Sequence, residues 1–323
     1  MALVASTLTF LGPLAPPADA SGAVTAHPSF DCAALVVPEA GTGGTHPGTA
    51  TAQVGTVRAT LSGVQARDTY GVGPGLAHPG VTIWVKNKQV YSAGVRLALG
   101  GKLQPGQVIE PSGLDGFTAS QPLCVIDFTG ASHGAPGETA VMLGMYSGGA
   151  HCCTWVDTYV LRPGGKVLGP FQDDLGNAPG GLLQLAPGGA ILVSRDNAFY
   201  YEFDAYAVSG APLLVLVPEG RRLVNVTRHY PTLIAQDAKT WWSAYQQVQS
   251  PNNEGPGGGL GLLAAWVADE CLLGNQRAAW ATVDKLSAEH RLSGGRDHDD
   301  AFWPSGAKYV KQLRKFLSHL HYC

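Results

Sequence analysis

Six consecutive residues, Gly148-Gly149-Ala150-His151-Cys152-Cys153, put an imidazole and two thiols directly behind a Gly-Gly pair. Three chemistries use such a set. As soft ligands, His151, Cys152 and Cys153 would suit copper or zinc. Consecutive residues of a strand point to opposite faces, however, so three in a row meet on one ion only across a tight turn. No second spaced cluster such as Cys-x-x-Cys accompanies them, and the expectation is no metal and no cofactor. A thiol nucleophile needs a reduced cysteine of low pKa beside a separately oriented base. A bond between Cys152 and Cys153 would join α-carbons about 3.8 Å apart, below the usual range for bridged cysteines, and would be strained and easily reduced.

Compartment decides among these, and the N-terminal residues bear on it. Ala2 to Leu14 are mostly small and apolar, and Ala18-Asp19-Ala20 before Ser21 has the small-residue pattern of a signal-peptidase site. Residues 1–20 are therefore read as a signal peptide, although the first Lys or Arg is Arg58 and the usual basic start is missing. The alternatives are a start further upstream or an Ala/Pro-rich arm. Gly12, Pro13, Pro16 and Pro17 break the apolar run, so no integral membrane segment is expected in the mature chain.

In a secreted chain six cysteines argue for disulfides. Cys271 and Cys323 would staple the last helical segment to an earlier one, and Cys32 and Cys124 would join the N-terminal arm to a strand at 123–128. Cys152 and Cys153 then pair with each other. A different solution, among the 15 pairings that six cysteines allow, sends them to different partners.

The elements that must position these residues can be read from periodicity. With 323 residues, 45% hydrophobic and only 14% charged, and with 43 Gly and 22 Pro, the composition suits a loop-rich β structure with a sizeable core. A net charge of −3 gives no general pull towards nucleic acid. Strand-like runs fill residues 51–228. Val81–Val85 and Gln89–Tyr91 flank Lys86-Asn87-Lys88, and further strand–turn–strand units carry Pro163-Gly164-Gly165, Pro187-Gly188-Gly189 and Pro218-Glu219-Gly220. In Phe199–Tyr206 the alternation predicts a strand, with Phe199, Tyr201 and Phe203 on the core face. No helical pattern interrupts these runs, so the sheets should be mostly antiparallel.

After Arg228 the period changes to about 3.6. Pro231 opens a helix striped by Ile234, Ala238, Trp241, Trp242, Tyr245 and Val248, and three further helices follow, the second ending at Gly274. The predicted fold is α+β: a mostly antiparallel β domain at 51–228, propeller-like or sandwich-like, preceded by a Pro/Gly/Ala-rich arm at 21–50 and followed by a small helical domain at 229–323. Lys308, Lys311, Arg314 and Lys315 read as a solvated face of the last helix.

Val125-Ile126-Asp127-Phe128-Thr129-Gly130 leads to Gly137-Glu138 and then to Tyr146-Ser147-Gly148-Gly149-Ala150-His151-Cys152-Cys153. This order resembles a family of uncharacterised secreted bacterial proteins with an Asp-rich loop, a Pro/Gly-Glu strand and Tyr-x-Gly-Gly-Ala-His-Cys-Cys. More remotely it is similar to the FG-GAP/VCBS repeats of β-propellers. The resemblance implies no activity, and with only Asp127 and Glu138 as acids around the loop it implies no calcium site.

The role expected is an extracytoplasmic binding or interaction module for a small molecule, glycan or protein, with Asp127, Tyr146, His151, Cys152, Cys153, Asp157 and Asp196 as the candidate ligand-binding residues. The rival is a cell-surface hydrolase using His151 with Asp127, Asp157 or Asp196 as general acid and base. The third reading is a purely structural β corner at the Cys-Cys turn. Non-reducing peptide mapping of the mature protein should find Cys271 linked to Cys323 and no free thiol; free Cys152 and Cys153 from oxidising conditions would restore the thiol and metal readings.

Overall fold

A computed structural model describes residues 29–36, 47–67, 74–95, 110–111, 121–131, 138–146, 154–177, 180–185, 188–250, 258–293 and 303–323, with 65–67, 74–75, 110–111 and 146 described by backbone alone. The signal peptide read at residues 1–20 lies outside these.

Three antiparallel sheets stack in layers. The first is a meander of β2 (Pro47–Val54), β3 (Val57–Arg67), β4 (Pro74–Val85) and β5 (Lys88–Gly94). The second has the order β1 (Phe30–Ala33), β7 (Leu123–Asp127), β8 (Thr139–Tyr146), β9 (Thr154–Arg162), β10 (Lys166–Gly176), with β6 (Glu110–Pro111) also on β8. The third is a meander of β11 (Gly181–Gln184), β12 (Ala190–Arg195), β13 (Leu213–Glu219) and β14 (Arg222–Asn225). β1 and the start of β2 fall within residues 21–50, the segment read from sequence as an arm.

The second sheet is the middle layer, and this explains its composition. Leu123, Val125, Val141, Leu143 and Tyr159 pack against the first sheet, while Cys124, Ile126, Met142, Val156 and Val160 pack towards Ile191, Val215 and Val217 of the third. A strand buried on both faces carries apolar residues without alternation, as in Leu-Cys-Val-Ile of β7. By contrast β2, with one wet face, alternates buried and exposed along its length. The β4–β5 turn is a two-residue hairpin in which Lys86 and Asn87 both have positive φ (50° and 62°), the type I′ geometry whose twist matches the flanking strands.

Phe199–Tyr206 is not a strand. It forms a short 3-10 turn at Asn197–Phe199, a bend, and the start of a second turn at Tyr206–Val208. Phe199 and Phe203 are buried, but Tyr201 is 47% exposed with φ +64°. Side chains bonded to nearby backbone impose this path. Asp196 accepts from Ala198 N, Asp204 from Ala205 N, and the Ser209 hydroxyl accepts from Tyr201 N.

The helical part comprises α1 (Pro231–Val248), α2 (Leu260–Leu272), α3 (Gln276–Ala288) and α4 (Gly306–His319). α1 buries Ile234, Asp237, Ala238, Trp241 and Tyr245, one stripe at helical spacing. α2 is buried almost all round, which its run of Leu, Ala and Val permits. Its N-terminus is capped from a distance, since Asp204 Oδ2 accepts from Gly259 N (2.9 Å) and Leu260 N (3.2 Å). Gly261 is required there: a Cβ would lie 2.8 Å from Val208 O and from the Ser209 Cα. Lys308, Lys311, Arg314 and Lys315 lie on the exposed side of α4, and the Arg314 guanidinium covers the Trp280 ring at 4.0 Å.

Disulfides join Cys32 to Cys124 across β1 and β7, and Cys271 of α2 to Cys323 after α4. The second closes a loop of 52 residues, for which the chain-entropy model gives about 4 kcal/mol. Among the described residues no helix is long and apolar enough to cross a membrane. Trp241 is buried in the core of the helical part, with the Arg195 guanidinium of β12 over its ring, and donates its indole N–H to Asp237 Oδ2 at 3.0 Å. Trp241→Ala should therefore cost about 3–5 kcal/mol in urea unfolding; a neutral effect would show that this indole does not anchor the helical part.

Candidate functional site

Among the described residues the candidate acids Asp127, Asp157 and Asp196 do not meet in one site. His151, Cys152 and Cys153 lie outside the described residues, between Tyr146 of β8 and Thr154 of β9, which are register partners. Tyr146 is described by backbone alone. Asp127, at the end of β7, is half-buried and accepts from Thr129 N at 2.9 Å, closing its own turn. The ladder pairs Asp127 with Thr139 and Thr139 with Leu161, four residues along β9 from Asp157. At about 3.3 Å per residue this puts the two carboxylates about 13 Å apart along the strands. Asp196 follows the third sheet's β12 and belongs to neither neighbourhood. Glu138, just before β8, is buried and ion-paired with Arg162. Burial raises its pKa and the Arg162 charge opposes that rise.

Residues 130–134, Gly-Ala-Ser-His-Gly, also match the Gly-x-Ser-x-Gly spacing of a nucleophile elbow. That motif needs a strand–turn–helix context, whereas here the chain passes from β7 to β8 within the same sheet. Ser132, His133 and Gly134 lie outside the described residues.

Two further buried acids are perturbed. Asp157, almost fully buried on β9, accepts from Gln172 Nε2 of β10 at 2.7 Å. Burial pushes its pKa up to about 6, and the Gln172 bond opposes this. Asp269 of α2 is completely buried near Asp237 of α1 and Arg195 of β12. Burial, then the Asp237 charge, holds its carboxyl well above the usual range. Asp237 accepts from Arg195 Nη1 at both oxygens (2.5 and 2.6 Å), from Leu213 N and from Trp241 Nε1. This cluster of Arg195, Asp237 and Asp269 joins α1 and α2 to the third sheet.

Beside this cluster opens a cleft of about 330 Å³ between the third sheet and the helical part. One wall is Leu213 and Leu214 of β13 with Asn225 at the end of β14; the other is Leu272 of α2 with Leu320, His321 and Tyr322 after α4. Arg228 and His229, on the single 3-10 turn between β14 and α1, form its rim. Asp196 lines it too, and its Oδ2 accepts from the Tyr322 hydroxyl at 2.9 Å. Arg228 Nη2 donates to the His321 carbonyl at 2.7 Å, so the two walls are tied across the rim. Among the described residues no group of three His, Cys, Asp or Glu is placed to hold a metal ion.

Of the sequence candidates among the described residues, only Asp196 lines this cleft. Arg228, Asn225, His321 and Tyr322 carried no chemical motif. The available signals were the change of period at Arg228 and the cysteine at 323, which returns the chain end to α2.

The architecture is an α+β protein: an antiparallel β part, then four helices, with a cleft where they meet. The family described as the sll0997 C-terminal domain matches residues 234–321, within the helical part. A probable thylakoid lumen protein, sll0997, from Synechocystis sp. is 26% identical over 203 residues, covering 58% of this chain and 56% of its own length. An uncharacterised protein, y4bJ, from Sinorhizobium fredii is 28% identical over 151 residues, 46% of this chain and 23% of its own. The chain thus spans about half or less of the length of these relatives. No solved structure matches.

The raised pKa of Asp157 has a definite consequence for stability. A carboxyl at about 4 in the unfolded chain and about 6 in the folded one stabilises the fold fully below pH 4, and that contribution is lost as pH rises through 6. Asp157→Asn keeps an acceptor for Gln172 and removes the titration. Urea unfolding from pH 4 to 8 should show a flatter profile for the variant, with a relative gain on the order of 2–3 kcal/mol at pH 7.5. An unchanged slope would mean that Asp157 titrates normally.

Proposed function

We propose that this chain is an extracytoplasmic binding module whose ligand site is the cleft between the third sheet and the helical part. The compartment follows from the lumenal relative and agrees with two disulfides, which persist where thiols are kept oxidised. The binding role rests on one observation: a 330 Å³ concavity whose polar side chains are already fixed by bonds that cross it, Arg228 to the His321 carbonyl and Tyr322 to Asp196. A pre-ordered lining spares a ligand the entropy of arranging it.

Among the described residues, the three carboxylates offered for hydrolysis are each engaged within the protein. Acid–base catalysis needs convergent groups, and Asp127 and Asp157 are committed to a turn and to Gln172 at separate places in the second sheet. Asp196 faces Tyr322 in another layer.

The test is a set of small neutral, anionic and cationic fragments titrated into ¹⁵N-labelled protein. Saturable shifts of the Leu214, Arg228, Leu272 and His321 amides are expected from at least one class. Leu320→Trp, which fills the cleft, should abolish them without lowering the melting temperature by more than a few degrees. If no fragment moves these amides, the cleft is not a ligand site.

A further inference from the structure

We infer that the cleft takes a small organic anion, with a carboxylate head at Arg228 and Asn225 and an apolar body against Leu214, Leu272 and Leu320. This rests on the cleft being the binding site and goes further by naming the class of ligand.

The hydrogen-bond inventory of the lining is lopsided. Its side-chain carboxylate and amide oxygens are used by the protein itself. Asp196 Oδ1 holds Ala198 N, and its Oδ2 holds the Tyr322 hydroxyl. Asn225 Oδ1 accepts from both Thr227 N (2.9 Å) and the Thr227 hydroxyl (2.6 Å), while that hydroxyl in turn accepts from Val215 N. The His321 carbonyl accepts from Arg228 Nη2.

Donors are left over. Arg228 has spent one arm of its guanidinium, and the Asn225 amide NH₂ has no acceptor among the described residues. A molecule that fits must therefore bring acceptors, and a carboxylate brings two in the spacing of the guanidinium fork.

Charge points the same way. Arg228 is a permanent cation on the rim, with two histidines, His229 and His321, beside it. Asp196 is the only carboxylate of the lining, and each of its oxygens already faces a donor. The tie to the His321 carbonyl also holds the Arg228 side chain in place before any ligand arrives.

The rest of the surface is apolar. Leu213, Leu214 and Val226 line one side, with Leu272 and Leu320 opposite. This excludes a bare inorganic ion as the best fit, because such an ion would leave that surface unused. A volume of about 330 Å³ is at the small end of ligand pockets, which selects a compact acid.

Hexanoate and hexanamide share shape and differ in the head group, so they separate the two halves of the claim. Followed by the lining ¹⁵N amides, hexanoate should bind saturably and at least tenfold more tightly than hexanamide or inorganic phosphate. Arg228→Gln, a change at an exposed side chain, should lower hexanoate affinity about tenfold and leave hexanamide unaffected. Equal affinity for acid and amide, or an Arg228→Gln protein that keeps the preference, would overturn the anion class. Phosphate binding as tightly as hexanoate would overturn the apolar body. If instead neutral or cationic fragments bind the cleft and hexanoate does not, the cleft remains a ligand site and this assignment alone falls; if nothing binds, both fall.

Discussion

The contact between Arg195 and Asp237 is the one on which the arrangement of sheet and helices depends. It joins β12 to α1, and through the same two side chains it reaches Leu213 N at the start of β13, the Ala211 carbonyl and the Trp241 indole. The guanidinium also lies over the Trp241 ring at 5.1 Å. Both charges are largely removed from water, so neither is tolerable without the other, and removing one partner of such a pair typically costs about 3–5 kcal/mol. The number of bonds to Asp237 offsets the desolvation that a lone pair of charges would suffer. Asp269 then sits beside an already balanced pair, and a second buried anion there would have no cation of its own. Burial, and then the Asp237 charge, accordingly push its carboxyl towards the neutral form.

Because that node fixes α1 and α2 against the third sheet, the position of the cleft is fixed as well. Leu272 ends the helix that carries Asp269, Asp196 follows directly on Arg195, and Thr227–His229 runs straight into α1. The second disulfide adds the remaining wall by bringing residues 320–322 back to the end of α2. The cleft is thus a by-product of how the two parts dock, and its residues come from five separate stretches of chain.

This explains what was legible in the sequence. The helices were, since α1, α3 and α4 have apolar stripes and α2 is a Leu/Ala/Val run ended by Gly274, and the hairpins were, since their turns demand particular residues. β7 could be read as a strand, although only the layering shows why it lacks alternation. Phe199–Tyr206 misled because alternating aromatic and polar residues fit a strand as well as they fit two short turns. The deciding bonds, from Asp196, Asp204 and Ser209 to backbone, depend on geometry that spacing does not encode. Among the candidate acids, Asp196 lies in the cleft while Asp127 serves its own turn, yet both look alike as aspartates at the ends of strands. Arg228 and His321 are 93 residues apart and touch only after long-range docking.

The bond between Cys32 and Cys124 acts on something other than the entropy of the chain. β7 is apolar on both faces, and its outer edge is covered by a single strand of four residues, β1. An uncovered strand of that composition offers its free N–H and C=O groups to any other chain with a matching edge. The disulfide sits at a register pair in the middle of that short cover and locks it in place. Without that bond the strand that shields the central layer's edge is held there by its backbone ladder and packing alone.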